Sequence, residues 1–484
     1  MSFLRSQRRR SPEMSEYDNT ACPVGFTSTS CCNSGCHTSF SERSFWPDSE
    51  WASGCRARGL SRGSQDFKGW QSQQISNPWV QLIVVPQLAG RLMQVTFADH
   101  HYLFVNPKYE GKYFPPNAGR WFNYGGDKLW LLPEGNNDEQ HWAGGSDVID
   151  DGPFTFRKIS EGQHCEIALE GPADPRTGIQ FLRTIRLDSD SPRILFRATM
   201  KNATGHAVEW SMQSVSQYDT ADPGNPSQMN KDFRAFAPAN PASGYLNRYH
   251  VRFGPAENPA ASVQEDGLFA LRYVHMAAEL WLDSTAGWLA VLDGSSKFGM
   301  VERFQFEESR SYPGKASLIF WTNGPEVKLS ADGNASMKSG EDGSPFYMEA
   351  EINSPMCRLR PGETCTLDTE WFPTRATSKI RAVTDAGIVV ESLQAASQDG
   401  KRIKVGGTFG VFFPGRLVAH LYGEHGTELQ AVAVANVDPR ELVLLETEVA
   451  SPGKTSRISL HLEDRNGLDR GSLQEVQVIL PENH

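Results

Sequence analysis

Short apolar runs separated by turn residues dominate the chain from about Gly69 onward. The runs alternate with polar residues or continue for four to eight positions, which is the pattern of β-strands. This pattern extends to about residue 375, which is too many strands for one simple sandwich. We therefore predict an all-β body of two broad, stacked antiparallel sheets. Examples of the runs are WVQLIVVP (79–86), RLMQVTF (91–97) and HYLFVN (101–106).

A second β-rich unit is predicted from about Ile380 to His484. Its strands recur at a spacing of about ten residues, which is typical of an Ig-like sandwich of ~100 residues. No clustered His, Cys or carboxylate residues mark it as catalytic, so we interpret it as a support or interaction module. One short helix is predicted near TDAGIVVESLQAA (384–396). The body that precedes this unit is predicted to span residues 67–375.

The first 66 residues have a different composition, rich in Ser and Arg, and contain five of the eight cysteines. They are interpreted as a disordered leader, or as the result of a start upstream of the real one. The run Arg8–Arg10 is not followed by an apolar segment, so no signal peptide is predicted and a cytoplasmic location is the default. A different start would leave a periplasmic or secreted location open. Zinc ligands are a weaker interpretation because the spacing lacks paired C-x2-C half-sites at Cys31, Cys32, Cys36 and His37.

Composition restricts the ligand classes. The chain has 484 residues, of which 39% are hydrophobic and 22% charged, and its formal net charge is −11. An acidic protein is a poor partner for a phosphate backbone, so nucleic acid is not expected, and a neutral or cationic ligand fits better. No run of ~18 apolar residues is present, so no membrane span is predicted. No phosphate-binding loop or metal-ligand motif is recognisable, so no cofactor or metal is predicted.

The stretch WFNYGGDKLWLLPEGNNDEQHW (121–142) is the first candidate site. Gly125 and Gly126 indicate a close backbone approach or positive φ. Asp127 and Lys128 would point to opposite faces of a strand, so at most one would enter a shared pocket. The tryptophans offer flat apolar faces on which a sugar ring can stack. The alternative is that they belong to the core and that the Asp-Lys pair lies at the surface.

A second candidate lies in YMEAEIN (347–353). Glu349 and Glu351 are separated by one residue in a predicted strand, so they share one face and are plausible partners in acid–base chemistry. A solvated outer face is the alternative. In the predicted strand EWSMQSVSQYD (209–219), Gln213 or Gln217 could donate a hydrogen bond to a sugar hydroxyl, but an amide does not titrate.

Several of these motifs resemble the galactose-mutarotase-like (aldose 1-epimerase-like) superfamily, and more specifically an uncharacterised bacterial branch of it. They are VVPQLAGRLMQVTF, WFNYGGDKLWLLPE, GWLAVLDG, GMVERFQFEESRSYPG and YMEAEINSPMCRLRPGETCTLDTEWF, and the resemblance covers about residues 69–375. It implies a β-supersandwich with a sugar-sized cleft on one sheet.

The resemblance also implies roles for particular residues. Glu349 resembles the superfamily's general base, and Glu351 stands where a Gln is usual. The superfamily's acid is a histidine in a strand that resembles EWSMQSVSQYD, where this chain has none. A catalytic reading therefore needs a replacement acid, for which Lys128, His101 and His141 are the candidates.

Three function hypotheses follow, and whether the protein is an enzyme stays open. The first is a carbohydrate-binding protein that acts at an anomeric centre, as an epimerase or isomerase, with Glu349 as base and Lys128 as acid. The second is a non-catalytic glycan-binding or assembly protein, and the third is a glycan lyase or hydrolase. In each case the ligand is a small molecule or an oligosaccharide. The predicted contacts are Arg91, Asn123, Asp127, Trp130, Glu134, His141, Trp142, Gln217 and Glu351.

Overall fold

The computed structural model describes residues 56–58, 65–116, 121–135, 138–144, 147–329, 335–337, 344–397 and 399–480. They all fall within one compact unit of the chain, Glu50–His484. Nearly all the regular structure among them is β-strand, numbered β1 to β35 in chain order, with short 3₁₀ turns at Pro107–Tyr109 and Pro313–Lys315. No helix in this described part is long and apolar enough to cross a bilayer.

The larger sheet has thirteen strands, with the order β1-β3-β4-β5-β7-β12-β25-β22-β19-β16. Three further strands pair beside this path, β2 with β3, β6 with β5, and β26 with β12. Every pairing is antiparallel, as expected for strands joined by short turns. The strands are β1 (Arg56–Arg58), β2 (Gln65–Phe67), β3 (Trp70–Ser76), β4 (Val80–Val85), β5 (Arg91–Phe97), β6 (His100–His101), β7 (Asp127–Leu132), β12 (Val208–Asp219), β16 (His250–Phe253), β19 (Ala278–Leu282), β22 (Leu318–Thr322), β25 (Tyr347–Asn353) and β26 (Cys357–Leu359).

The second sheet has ten strands in the order β17-β18-β15-β20-β21-β27-β11-β10-β9-β8. Its strands are β8 (Thr155–Ser160), β9 (His164–Glu170), β10 (Ile179–Asp188), β11 (Ile194–Asn202), β15 (Phe233–Pro238), β17 (Ala261–Val263), β18 (Leu268–Arg272), β20 (Trp288–Asp293), β21 (Phe298–Phe304) and β27 (Thr364–Arg375). Two short hairpins stand apart from both sheets, β13 (Ala221–Asp222) with β14 (Asn225–Met229), and β23 (Val327–Leu329) with β24 (Ala335–Met337).

The main core lies between these two sheets. Alternate residues of the strands enter it, as period-two patterning requires. From the larger sheet it receives Leu129 and Leu131 of β7, and from the second sheet Phe181 and Ile185 of β10. Hydrogen bonds also join the sheets, one of them from the Tyr102 hydroxyl to the Gly299 carbonyl at 3.0 Å.

The C-terminal part of the described chain is a smaller sandwich of two four-stranded sheets, β28-β29-β30-β33 and β32-β31-β34-β35. Its core is continuous with the outer face of the second large sheet, because apolar side chains from both parts share one buried cluster. The two stacked sheets and this sandwich confirm the predicted fold class. The strands are β28 (Ala382–Val383), β29 (Gly387–Ser397), β30 (Arg402–Val411), β31 (Gly415–Gly423), β32 (Glu428–Val437), β33 (Val443–Ala450), β34 (Thr455–Asp464) and β35 (Asp469–Gln477).

Two expectations differ from the structure. The helix predicted over 384–396 is wrong, since Gly387–Ser397 is strand β29, paired with β30. Its β-branched run Ile388, Val389 and Val390 favours a strand, and these side chains are buried in the sandwich core. Within the predicted leader, Arg56–Arg58 pairs with β3, so the sheet begins before residue 67. The cysteines that raised the zinc hypothesis lie outside the described residues.

Candidate functional site

The candidate site lies on the outer face of the larger sheet, which points away from the main core. Along β25, Met348, Ala350 and Ile352 enter the core, so Glu349 and Glu351 point outward. Both glutamates are nevertheless only 7% and 6% exposed. Outward side chains that are so well covered lie beneath neighbouring side chains, and this recessed group of residues is called the cleft below.

Strand pairing brings the cleft residues together in rows. Gln217 of β12 and Trp321 of β22 lie on either side of Glu349, and Glu279 of β19 lies beyond Trp321. In the neighbouring row, Lys128 of β7 and Glu351 flank the same residue of β12. Adjacent strands are about 4.8 Å apart, so Lys128 and Glu351 start from backbones roughly 10 Å apart. A lysine side chain can span most of that distance.

Each of the two β25 glutamates receives a hydrogen bond from a glutamine of β12. The Gln217 side-chain amide donates to Glu349, and that of Gln213 donates to Glu351. Both glutamines are at most 2% exposed, and their side-chain oxygens have no hydrogen-bond partner. The amides therefore fix the orientation of the carboxyl groups and leave two buried acceptors unused.

Lys128 lies under an indole cover at the other side of the cleft. Its Nζ is 3.7 Å from the centre of the Trp130 ring and 5.0 Å from that of Trp121. The residue is 2% exposed and Nζ has no hydrogen-bond partner. Burial lowers the pKa of Lys128, although the nearby Asp150 carboxylate opposes the shift. A cation held by ring faces and distant carboxylates keeps its donor hydrogens available.

Asp150 organises this cover from behind. It accepts hydrogen bonds from the indoles of Trp121 and Trp130, both at 2.9 Å, and pairs with Arg91 at 2.5 Å. Its pKa is lowered because the Arg91 and Lys128 charges and the two indole donors outweigh the cost of its burial. Asp150 therefore stays ionised and fixes both rings above Lys128.

Two more carboxyl groups stand near the mouth of the cleft. Glu279 is half-buried and accepts a hydrogen bond from the Trp281 indole. Glu134 follows β7 and reaches solvent, but desolvation by the surrounding walls and the charges of Glu279 and Glu349 raise its pKa to about 7. Desolvation and the Glu349 charge likewise raise the pKa of Glu279. Glu349 therefore raises the pKa of both Glu134 and Glu279.

Glu351 is the most strongly affected of them. Burial and the neighbouring charge of Glu349 raise its pKa well above the usual range, which favours its protonated form. In that form it can donate a hydrogen bond to Glu349. The cleft thereby holds two neighbouring glutamates, of which Glu351 has a raised pKa, next to a lysine of lowered pKa.

Three predicted contacts lie elsewhere, for physical reasons that local sequence does not reveal. Asp127 faces the main core and is fully buried against Arg183, with the Ser216 hydroxyl at 3.2 Å. Arg91 is also fully buried and acts on the cleft only through Asp150. Trp142 is 0% exposed and packs in the main core, so it offers no free stacking face. We therefore correct these three assignments.

The histidine candidates for the acid are also placed away from the β25 glutamates. His141 lines a different cavity of about 1050 Å³, beside Arg176, and its Nδ1 is 2.7 Å from Asp138. His101 is exposed on the short strand β6, where its Nδ1 is 2.9 Å from the Thr96 hydroxyl. Of the three candidates, Lys128 lies near enough to Glu349 for that carboxyl group to act on its pKa.

Other predicted residues do line the cleft or its edge. Trp130 covers Lys128, Gln217 holds Glu349, and Glu134 stands at the mouth. Asn123 is 8% exposed and hydrogen bonds with Tyr347, which precedes Glu349 on the same face of β25. The pair Gly125 and Gly126 has φ of 94° and 77°, as predicted from the motif.

Sequence reasoning missed Glu279, Trp281 and Trp321 as cleft residues. The runs AELWL (278–282) and LIFWT (318–322) place them at alternate positions, opposite to apolar residues that enter the core. That alternation was a usable signal for an outward face. Nothing local shows, however, that β19 and β22 follow β25 in the sheet.

No group of three or more His, Cys, Asp or Glu residues in the described ranges is arranged to hold a metal ion. The chemistry that the cleft residues offer by themselves is proton transfer, hydrogen bonding and ring stacking. Glu349 can accept a proton, Lys128 can donate one, and Trp130, Trp281 and Trp321 offer ring faces.

Comparison with known proteins finds similarity of fold and nothing closer. No family model matches the chain, and no curated protein matches it. A galactose mutarotase related enzyme from Lactobacillus acidophilus is 12% identical with a TM-score of 0.40, over 63% of this chain and 98% of that one. A galactose mutarotase-like protein from Clostridium acetobutylicum is 9% identical with a TM-score of 0.41, over 66% and 98%.

A TPR-domain containing protein from Parabacteroides distasonis is 15% identical with a TM-score of 0.42. The similarity covers 63% of this chain but only 47% of that protein, less than half of its length. At these identities the likeness concerns the fold alone and assigns no substrate or activity to this chain.

Proposed function

We propose that this protein binds a carbohydrate in the cleft and acts on it by general acid–base chemistry at the anomeric centre, as an epimerase or isomerase does. The observation that carries the proposal is the position of Glu349 and Lys128 on one recessed face, with the indole of Trp130 beside Lys128 and that of Trp321 beside Glu349. A sugar ring has the matching surface, because its C–H face stacks on an indole and its hydroxyl groups reach polar side chains.

Glu349 takes the role of general base in this proposal. It is recessed, held by the Gln217 amide, and adjacent to Glu351, whose pKa is raised by burial and by the charge of Glu349. It would remove the proton from the anomeric hydroxyl. Its position on a regular strand keeps it rigid, which a base needs in order to meet a proton at hydrogen-bond distance.

Lys128 takes the role of general acid. Protonating a ring oxygen needs a donor whose pKa lies near the working pH, and burial shifts the pKa of Lys128 downward. Its Nζ has no hydrogen-bond partner and lies 3.7 Å from the centre of the Trp130 ring, so its hydrogens are available to a ligand. Lys128 would therefore replace the histidine that is missing from β12.

Of the alternatives, a non-catalytic glycan-binding protein would use the same surface, and the paired Gln213 and Gln217 suit it equally well. A lyase or hydrolase is less well supported. Glycosidases hold two carboxyl groups about 5 to 9.5 Å apart on either side of the scissile bond. Glu349 and Glu351 instead lie two residues apart on one face of one strand, so they do not stand on opposite sides of a bond.

A thermal-shift panel of free sugars and oligosaccharides tests the binding part of the proposal. A ligand that binds only the folded chain must raise its melting temperature. At a free ligand concentration one hundred times Kd, the free energy of unfolding increases by about 2.7 kcal/mol. Glu349→Gln and Lys128→Met should retain the shift, while Trp130→Ala should reduce it. A panel without any stabilising sugar would contradict the proposal.

A further inference from the structure

The cleft is rich in hydrogen-bond acceptors. The charges of Glu279 and Glu349 act on Glu134, and the charge of Glu349 also acts on Glu279. In addition, the side-chain oxygens of Gln213 and Gln217 are buried and have no partner. An unpaired buried acceptor costs free energy until a donor reaches it. A matching ligand must therefore bring donors, and the carboxylates favour donors that carry positive charge.

Aromatic rings on the same side of the cleft suit a cation. The guanidinium of Arg252 lies 5.9 Å from the Trp281 ring centre, and Trp321 stands between Glu279 and Glu349 in the register. Across the cleft, Lys128 already occupies the face of Trp130. Ring faces attract cations, most strongly when carboxylates stand beside them. Because Lys128 and Arg252 occupy the faces of Trp130 and Trp281, the ring for a ligand cation is Trp321, between Glu279 and Glu349 in the register.

We infer that the ligand of the cleft is an amino sugar, bound with its ammonium group between Glu134 and Glu279 and its ring over Glu349. This inference rests on the proposed function and names the substrate class of the same site. Sugar phosphates and uronic acids are disfavoured, because their anions would be brought beside several carboxylates in a recess. Arg252 and Lys128 supply positive charge, but each is stacked against an indole.

The electrostatics agree with this placement. Desolvation and then the charges of Glu279 and Glu349 raise the pKa of Glu134 to about 7, although Lys128 and Arg252 oppose the shift. A bound ammonium group would relieve the repulsion between these charges. Both glutamates at the mouth would then be ionised in the complex.

Isothermal titration of the full-length protein with matched probes tests the inference. Glucosamine and N-acetylglucosamine differ in the charge on one nitrogen, and an amine with a pKa near that of an α-amino group is charged at about pH 6. Oligomers of glucosamine and of N-acetylglucosamine extend the comparison, since a free sugar and a deacetylated polysaccharide share this chemistry. We expect the charged member of each pair to bind at least about tenfold more tightly, which is ~1.4 kcal/mol.

Variants locate the charge preference. Glu279→Gln and Glu134→Gln should each reduce the ratio of the two affinities, whereas Glu446→Gln on the exposed side of β33 should leave it unchanged. If neutral and charged sugars bind equally, the amino-sugar inference is wrong and the proposed cleft stands. If neither the charged nor the neutral sugars bind, and no other sugar does, the amino-sugar inference and the proposed function are both wrong. If Glu279→Gln and Glu134→Gln both leave the ratio of affinities unchanged, the inference is also wrong, because the ammonium group would then lie elsewhere.

Discussion

The buried carboxyl group of Glu302 gives a prediction that can be worked through from the structure. Glu302 lies on β21, is 0% exposed, and receives a hydrogen bond from the Tyr218 hydroxyl, while its second oxygen has no partner. Burial raises its pKa from 4.5 to about 8. The folded protein therefore holds this proton more tightly than the unfolded chain does.

The sign of the pH dependence follows from that difference. Between about pH 4.5 and about pH 8 the unfolded chain releases the proton and the folded protein retains it, so stability falls as pH rises through this window. The rise of the Glu302 pKa from 4.5 to about 8 changes the free energy of unfolding by at most ~5 kcal/mol, at 1.36 kcal/mol for each tenfold change in proton affinity. Glu302→Gln keeps the acceptor for Tyr218 but cannot ionise, so it removes this penalty.

Urea unfolding of both proteins at about pH 5 and pH 8, followed by tryptophan fluorescence, measures the effect. We expect the variant to gain stability relative to the parent by several kcal/mol between the two pH values. Glu446→Gln, on the exposed side of β33, is the control and should show no such change. Parallel pH profiles for parent and Glu302→Gln would refute the reasoning.

Two further predictions concern stability under the cleft. Gly125→Ala should lower the free energy of unfolding in urea by more than about 3 kcal/mol, because the new Cβ would lie 2.2 Å from the Phe104 carbonyl oxygen at a φ of 94°. The control Gly162→Ala, at φ 126° with open space around it, should lower it by only ~1 kcal/mol. Equal losses would contradict the steric argument. Arg183→Met should lower the free energy of unfolding by about 3 to 5 kcal/mol, because it leaves Asp127 buried without its charged partner. Adding Asp127→Asn should recover much of that loss. A double variant as unstable as Arg183→Met alone would contradict this explanation.

The period-two pattern was enough to predict both large sheets and that Glu349 and Glu351 share one face of their strand. It also predicted that Asp127 and Lys128 separate to opposite faces, but not which of them enters the core. That choice depends on Arg183, a partner on the other large sheet that local sequence does not reveal. An ion pair between the sheets reverses the usual rule that charged side chains face outward.

The other misplaced residues show the same limit. Trp142 follows a polar loop and was predicted as a stacking surface, yet its indole donates a hydrogen bond to Asp147 and its ring packs in the core. Glu279 and Trp321 come to the cleft only because β19 and β22 follow β25 in the sheet. Strand order depends on pairing between distant segments, and no run of residues taken alone specifies it.

The central claim is that Glu349 transfers a proton at the anomeric centre of a sugar held in the cleft. Magnetisation-exchange NMR of a sugar that stabilises the protein measures the rate of anomer interconversion directly. We predict that the parent protein accelerates this exchange, and that Glu349→Gln abolishes the acceleration while its Kd stays within about tenfold, or ~1.4 kcal/mol. An equal exchange rate with parent, with Glu349→Gln and with buffer alone would contradict the claim and leave a binding protein.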